Sequence, residues 1–226
     1  LKFAFPVSVR SLRATYEIQF GHVERPTHAN TSWDVARFEV CAHRWADLSE
    51  PGYGVALLND CKYGYDIRGN VIRLSLLRAT TWPDPVADRG HHRFTYRLLP
   101  HAGDLREAGV IDAGYDLNVA LRTLPTTAHG GTHGREGSLL SVDSPNVVIE
   151  TVKRADDDAQ AVVVRLYEAW GRRGPVTLRA QWDIGRATVT DLLEREVGTV
   201  TTSGATVTVE LTPFELTTLK LEPTAD

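Results

Sequence analysis

The sequence predicts a mainly β protein built from two antiparallel sheet systems, and three observations carry that prediction. Short runs rich in β-branched, aromatic and aliphatic residues recur along the chain. Turn signals such as Pro51-Gly52, Arg68-Gly69-Asn70 and Pro83-Asp84-Pro85 separate them. A polar, glycine-rich stretch at 123–137, TLPTTAHGGTHGREG, divides the runs into two groups and reads as a linker.

The chain opens on strand-like sequence, LKFAFPVSV, and further strands are expected over Tyr16–Phe20, Ala36–Ala42, Gly54–Leu58, Val71–Leu77 and Arg93–Leu99. Val55, Ala56, Leu57 and Leu58 are apolar without a break, which implies burial on both faces. From Asp104, DLREAGVIDAGYDLNVAL sets Leu105, Ala108, Ile111 and Tyr115 at helical spacing, with Asp104 as N-cap and with Gly109 and Gly114 weakening the helix. Beyond the linker, strands are expected over Val147–Val152, Ala161–Tyr167, Val176–Gln181, Val207–Leu211 and Leu216–Leu221. In TVTVEL, Val207, Val209 and Leu211 fall on one face and Thr206, Thr208 and Glu210 on the other. The expected organisation is a β-sandwich portion at 1–122, the linker at 123–137 and a second, smaller β-sandwich at 138–226.

Composition narrows the class. The 226 residues are 42% hydrophobic and 24% charged, ordinary for a globular protein. A net charge of −4 without a dense basic run offers no phosphate-binding surface, so a nucleic-acid partner is not expected. No apolar run approaches a membrane span, and no basic segment followed by an apolar one opens the chain, so no membrane partner is expected either. The two cysteines, Cys41 and Cys61, read as reduced buried thiols, which fits a cytoplasmic setting. The chain starts at Leu1 and contains no methionine, and it reads as an excerpt of a longer polypeptide.

Several motifs invite chemistry. His129-x-x-x-His133 has a metal-compatible spacing, but Gly130, Gly131 and Thr132 would not hold a helix and no further ligands stand nearby, so it reads as linker. His91 and His92 would point to opposite faces of a strand. Asp156, Asp157 and Asp158 read as a solvated hairpin tip. There is no G-x-S-x-G elbow, H-E-x-x-H, phosphate loop or dinucleotide fingerprint.

Two places are more informative. Strand parity puts Ile72, Leu74, Leu76 and Arg78 on one face, so a permanently charged guanidinium continues an apolar side. It needs partners, with Asp84, Asp88 and Asp60 as candidates for a structural loop clamp, or it lines a wet cleft and meets a ligand. In GVALLNDCKYGYD, the core run ends in Asn59, Asp60, Lys62, Tyr63, Gly64, Tyr65 and Asp66. Flat aromatic faces beside hydroxyl and carboxylate groups suit a sugar, and the same residues suit a hydrogen-bonded turn around Gly64.

Long stretches of the chain resemble a known family. FGHVERPTHANTSWDVARFEVCAHRWADLSE (20–50), GVALLNDCKYGYD (54–66), LSLLRATTWPDPVADRGHHRFTYRLLPHAGD (74–104), VVVRLYEAWG (162–171), VTDLLERE (189–196) and LTPFELTTLKL (211–221) are similar to the C-terminal region of family-38 glycoside hydrolases, the α-mannosidases. The likeness is strongest to their cytosolic, neutral-pH branch. The resemblance implies a large β-sandwich of the galactose-mutarotase-like supersandwich type followed by the smaller one. It implies a parent enzyme that cleaves α-mannosides with retention, using a carboxylate nucleophile and zinc (or cobalt), all housed in an N-terminal barrel. No position here matches the catalytic or metal-binding residues, so no catalytic residue, metal or other cofactor is expected in this chain. The implied partners are that catalytic barrel and mannose-containing glycans, with Arg78, Asp60, Tyr63 and Asn59 as candidates for the wall of the sugar cleft. The Asn59–Tyr65 turn should then lie at an exposed edge beside Arg78. An independent carbohydrate-binding module and a structural domain forming a homo-oligomer are the alternatives.

Overall fold

A computed structural model describes residues 1–128, 130–131 and 134–224, and the chain divides between Thr123 and Leu124 into two compact units. The first unit contains β1 (Lys2–Pro6), β2 (Arg13–Ile18), β3 (Gly21–Pro26), α1 (Ser32–Ala36), β4 (Val40–Cys41), β5 (Trp45–Glu50), β6 (Tyr53–Asn59), β7 (Gly64–Arg68), β8 (Val71–Ser75), β9 (Tyr96–Ala102) and α2 (Val110–Asn118). Its strands form two antiparallel sheets, in the orders β1-β8-β7-β4 and β3-β2-β5-β6-β9. Ala14, Tyr16, Ala46, Leu48, Val55 and Leu57 from the larger sheet pack with Tyr65, Ile67, Ile72 and Leu74 from the smaller one into one core.

The outer face of the larger sheet is covered by α2. This explains why Val55–Leu58 are all buried: alternate residues face the sandwich core and the helix. Gly114 is what lets the helix come down. A Cβ there would stand 2.9 Å from Cδ1 of the buried Trp45. The helix starts later than its spacing suggests, with Gly109 at the N-cap in a left-handed conformation (φ 72°). Asp104 instead accepts from the Arg106 N–H at 2.9 Å, closing a turn that precedes the helix.

Three expectations change. The strand expected over Ala36–Ala42 shrinks to Val40–Cys41, because Thr31 and Asp34 form a reciprocal capping box that starts α1 just before it. Cys41 and Cys61 are free thiols, but both are exposed rather than buried, since one lies on the two-residue strand β4 and the other in the β6–β7 turn. The strand carrying Ile72 and Leu74 stops at Ser75, and Ala79 takes a left-handed conformation (φ 54°), so parity no longer governs Arg78, which is exposed.

The second unit contains β10 (Leu140–Val142), β11 (Val147–Arg154), β12 (Val162–Glu168), β13 (Gly174–Ala180), β14 (Ile184–Thr190), β15 (Glu196–Val200), β16 (Thr202–Ser203), β17 (Thr206–Leu211) and β18 (Leu216–Pro223). Its antiparallel sheets run β10-β13-β17-β16 and β11-β12-β18-β14-β15, and Val176, Leu178, Val207, Val209 and Leu211 meet Val164, Leu166, Ala187, Leu219 and Leu221 between them. The alternation in TVTVEL is the one its sequence predicts. Asp156 and Asp157 are exposed in the β11–β12 turn and paired with Lys153 and Lys220, each at 2.6 Å. His129 and His133 lie outside the described residues.

Glu168 closes one end of this sandwich. The side chain is buried, and its carboxylate accepts from Asn146 Nδ2 at 3.0 Å and from the backbone N–H groups of Trp170, Gly171 and Phe214 at 2.9, 2.7 and 3.1 Å. Burial pushes its pKa up, but the donors around it prevail and hold it below the usual carboxylate value. Its contribution is therefore present above the unfolded pKa and lost as pH falls through the lower folded value. Glu168→Gln should cost about 2 kcal/mol at neutral pH, and less at acid pH, measured by urea unfolding across a pH series. An equal loss at all pH values would show that the charge does not matter.

Candidate functional site

The polar end of β6 is organised by one amide. Asn59 is 2% exposed, and its Nδ2 donates to the His43 carbonyl at 3.0 Å and to the Tyr65 hydroxyl. Its Oδ1 accepts from the N–H groups of Cys61, at 3.0 Å, and Lys62, forming an Asx-type turn. The backbone of the same residue pairs with the Arg44 carbonyl at 2.9 Å and accepts from Asn118 of α2 at 3.1 Å. Asn59 is thus an internal plug with no face left for a ligand. Tyr65 joins it in the interior, and burial raises its phenol far above the ordinary value.

Asp60 is exposed, yet it exchanges two hydrogen bonds with Thr95: Asp60 N–H to the Thr95 carbonyl at 3.1 Å and Thr95 N–H to Asp60 Oδ1 at 2.9 Å. This ties the turn to the strand leading into β9. Tyr63 faces outward, 58% exposed, with the His43 ring edge-on at 5.6 Å. Lys62 lies over the Phe94 ring at 5.3 Å. Of the four cleft candidates, Asn59 is spent inside the fold, while Asp60, Tyr63 and Arg78 reach solvent.

Among the described residues Arg78 makes no ion pair with Asp60, Asp84 or Asp88. The loop is held differently. Asp88 Oδ2 accepts from the Ala79 N–H at 2.7 Å, and Asp84 Oδ1 from the Val86 N–H at 2.9 Å. His92 Nε2 meets the Asp88 carbonyl at 2.7 Å. The two aspartates therefore pin backbone and leave the guanidinium outside. The turn and Arg78 are linked through Glu39, a residue the sequence reading did not single out. Its carboxylate stands against Gly64, where a Cβ would meet Oε1 at 2.5 Å. The neighbouring Ser75 hydroxyl, then Lys2 and Arg78, hold Glu39 below the usual carboxylate range. Trp82, 79% exposed in the same loop, was also overlooked.

Beneath this edge, buried charge is fully consumed. Arg44 donates Nε to Glu17 Oε1 at 2.8 Å, lies 2.6 Å from it through Nη2, and covers the Tyr115 ring at 3.7 Å. A second buried knot brings Ser49, Asp47 and His101 together over Gly54, where a Cβ would come within 2.6 Å of Ser49 Oγ and His101. His101 Nε2 meets Asp47 Oδ2 at 2.8 Å, but Ser49 Oγ donates to Asp47 rather than to the imidazole. The base that would activate the hydroxyl is thus facing elsewhere, and the trio is not arranged for nucleophilic catalysis. Burial raises the Asp47 carboxyl above its ordinary value. Among the described residues no group of three or more His, Cys, Asp and Glu is placed to hold a metal ion, so the donor set does not fit zinc. Nor is any helix among them long and apolar enough to cross a membrane.

Comparison with known proteins adds an independent line. Residues 1–86 match the glycosyl hydrolases family 38 C-terminal domain, and residues 146–219 the glycosyl hydrolases family 38 C-terminal beta sandwich domain. The chain is 51% identical to human alpha-mannosidase 2C1, over 98% of its own length and 21% of that protein. It is 37% identical to the alpha-mannosidase of Saccharomyces cerevisiae, over 98% of its own length and 22% of that protein. The crystal structure of an alpha-mannosidase from Enterococcus faecalis V583 matches with a TM-score of 0.80 at 19% identity, covering 98% of this chain and 25% of that one. The chain therefore spans about a fifth of the length of the curated relatives it matches.

Asn59→Ala should destabilise the first unit by about 2–4 kcal/mol, because it strands several buried backbone groups at once. Tyr63→Ala, which removes an exposed ring, should change stability by less than about 0.5 kcal/mol. Urea midpoints of the two variants check the ranking, and a reversed order would mean that the turn depends on its outer ring.

Proposed function

The chain belongs to the C-terminal β region of glycosyl hydrolase family 38, and from that membership we propose that it serves as the non-catalytic β part of a zinc-dependent, retaining α-mannosidase. In this reading it scaffolds a catalytic barrel and lends one edge to the wall of the sugar cleft. The observation that carries the proposal is the 51% identity to an α-mannosidase over nearly the whole chain. The zinc and the nucleophilic carboxylate then belong to the barrel. A cytoplasmic setting is part of the same reading, supported by two free thiols.

The chemistry of the edge suits the role. Arg78 offers guanidinium donors with no ion pair to Asp60, Asp84 or Asp88, and Tyr63 offers a flat ring for the C–H face of a sugar. Asn59 and Asp60 act behind them, fixing the turn to the sheet rather than meeting the glycan. Asp84 and Asp88 fix the loop that carries Arg78.

Hydrolysis of 4-nitrophenyl α-D-mannoside tests the proposal, comparing this chain with a longer polypeptide in which it follows a family-38 catalytic region, each supplied with zinc or cobalt. Activity is expected in the longer polypeptide and not in this chain. In the longer enzyme, Arg78→Ala should lower kcat/KM by about tenfold without shifting Tm. Metal-dependent turnover by the short chain would overturn the non-catalytic assignment. Mannoside binding by the short chain, seen by calorimetry, would favour a stand-alone carbohydrate-binding module.

A further inference from the structure

Between β3 and the segment joining α1 to β4 lies a small, partly open cavity of about 20 Å³. It is lined by Tyr16, Arg25, His28, Asp34, Arg37 and Arg68, among others. Arg25 is unusual among the charged residues of the molecule. It stands opposite Ala14 on the core-facing side of β3, and its guanidinium covers the ring of the buried Tyr16 at 4.7 Å. One terminal nitrogen, Nη1, is buried with no hydrogen-bond partner among the described residues. Leaving such a donor unpaired is costly, and more so when it carries charge.

Two carboxylates, Asp34 and Asp66, also line the cavity, but neither forms an ion pair with Arg25 among the described residues. The Asp34 carboxylate accepts from the Thr31 N–H at 3.1 Å and stands 3.6 Å from His28, while its backbone N–H donates to the Thr31 hydroxyl. Asp66 is shared between Arg68, at 3.6 Å, and Arg73, at 3.3 Å. Neither Arg25 nor Arg37 forms an ion pair among the described residues, yet both line the same void. Burial lowers the affinity of Arg25 for its proton, and the like charge of Arg37 adds to the effect, while Tyr16 and Cys41 oppose it. With Arg25, Arg37 and Arg68 set against Asp34 and Asp66, the lining keeps a net positive charge, and the buried Arg25 Nη1 still lacks an acceptor.

We propose that this cavity binds a single small monovalent anion, of chloride size, held between Arg25 and Arg37. The volume admits one particle of about water size and excludes phosphate, sulfate or a sugar. A halide satisfies the buried Nη1–H, offsets the repulsion between the two arginines and needs no donor of its own. Its site bridges an edge strand of one sheet and the approach to an edge strand of the other, so occupancy would fasten those two edges to each other.

Thermal unfolding of this chain in sodium chloride, sodium bromide and sodium gluconate at constant ionic strength tests the inference, since gluconate is too large to enter. Chloride and bromide should raise Tm by roughly 5 °C over gluconate at about ten times the dissociation constant. Arg37→Gln, at an exposed position, should abolish the halide dependence while leaving Tm in gluconate unchanged. Bromide-soaked crystals should show an anomalous peak within hydrogen-bond distance of Arg25 Nη1. Equal Tm in all three salts, a halide effect undiminished in Arg37→Gln, or an ordered water at Nη1 without an anomalous peak would each overturn it.

Discussion

Asn59 is the residue on which the polar edge of the first unit depends. A central strand, covered by the sandwich on one side and a helix on the other, must end without exposing hydrogen-bonding groups to an apolar interior. The Asn59 side chain resolves this by donating in one direction and accepting in the other, so β6, the approach to β5, the β6–β7 turn and α2 all close on one point. A neutral amide suits the task because it offers both kinds of group. An aspartate there would face the His43 carbonyl and the Tyr65 hydroxyl with acceptors, in surroundings that already push Tyr65 towards its neutral form.

The second unit meets a related demand with a charge. Around Glu168 the groups to be satisfied are donors: three backbone N–H groups and the Asn146 amide. An acceptor-only carboxylate matches them, and its lowered pKa follows from that match against the penalty of burial. In both units the residue type is therefore dictated by the polarity of the backbone it must satisfy. Each residue also ends a buried strand, β6 in one case and β12 in the other.

Much of the fold was legible in the sequence because period-two patterns survive in single strands. TVTVEL and the unbroken Val55–Leu58 run led to correct faces and correct burial. Patterns that depend on partners were not legible. Gly64, Tyr65 and Asp66 read as the end of a polar turn, yet they open a central strand, Gly64–Arg68, whose inner face is carried by Tyr65 and Ile67. Gly114 reads as a helix weakener and is instead the notch that admits Trp45. In the candidate site, residue types suggested a cluster but not its division of labour. Asn59 and Tyr65 turn inward and Tyr63 turns outward, an assignment fixed by pairings across the turn, such as Ala42 N–H with the Tyr63 carbonyl, that single-strand patterns do not carry. Glu39 carries a signal of its own: a carboxylate two residues before Cys41, just ahead of the strand that pairs with Gly64.

Three arginines of the first unit define what an unpaired guanidinium implies. Arg44 has every demand met, with Glu17 at two of its nitrogens and Tyr115 against its plane, and burial cannot strip its charge. Its role ends inside the fold. Arg78 has the opposite situation, exposed to solvent and acting within the fold only through its charge on the Glu39 carboxylate. Arg25 falls between them, too buried for water on one nitrogen and without a carboxylate of its own. An exposed guanidinium can wait for a large ligand, because the free state costs nothing. A buried one cannot, because the free state is the strained one. The occupant proposed for the Arg25 cavity must therefore be small and always at hand, whereas Arg78 places no such demand on its surroundings.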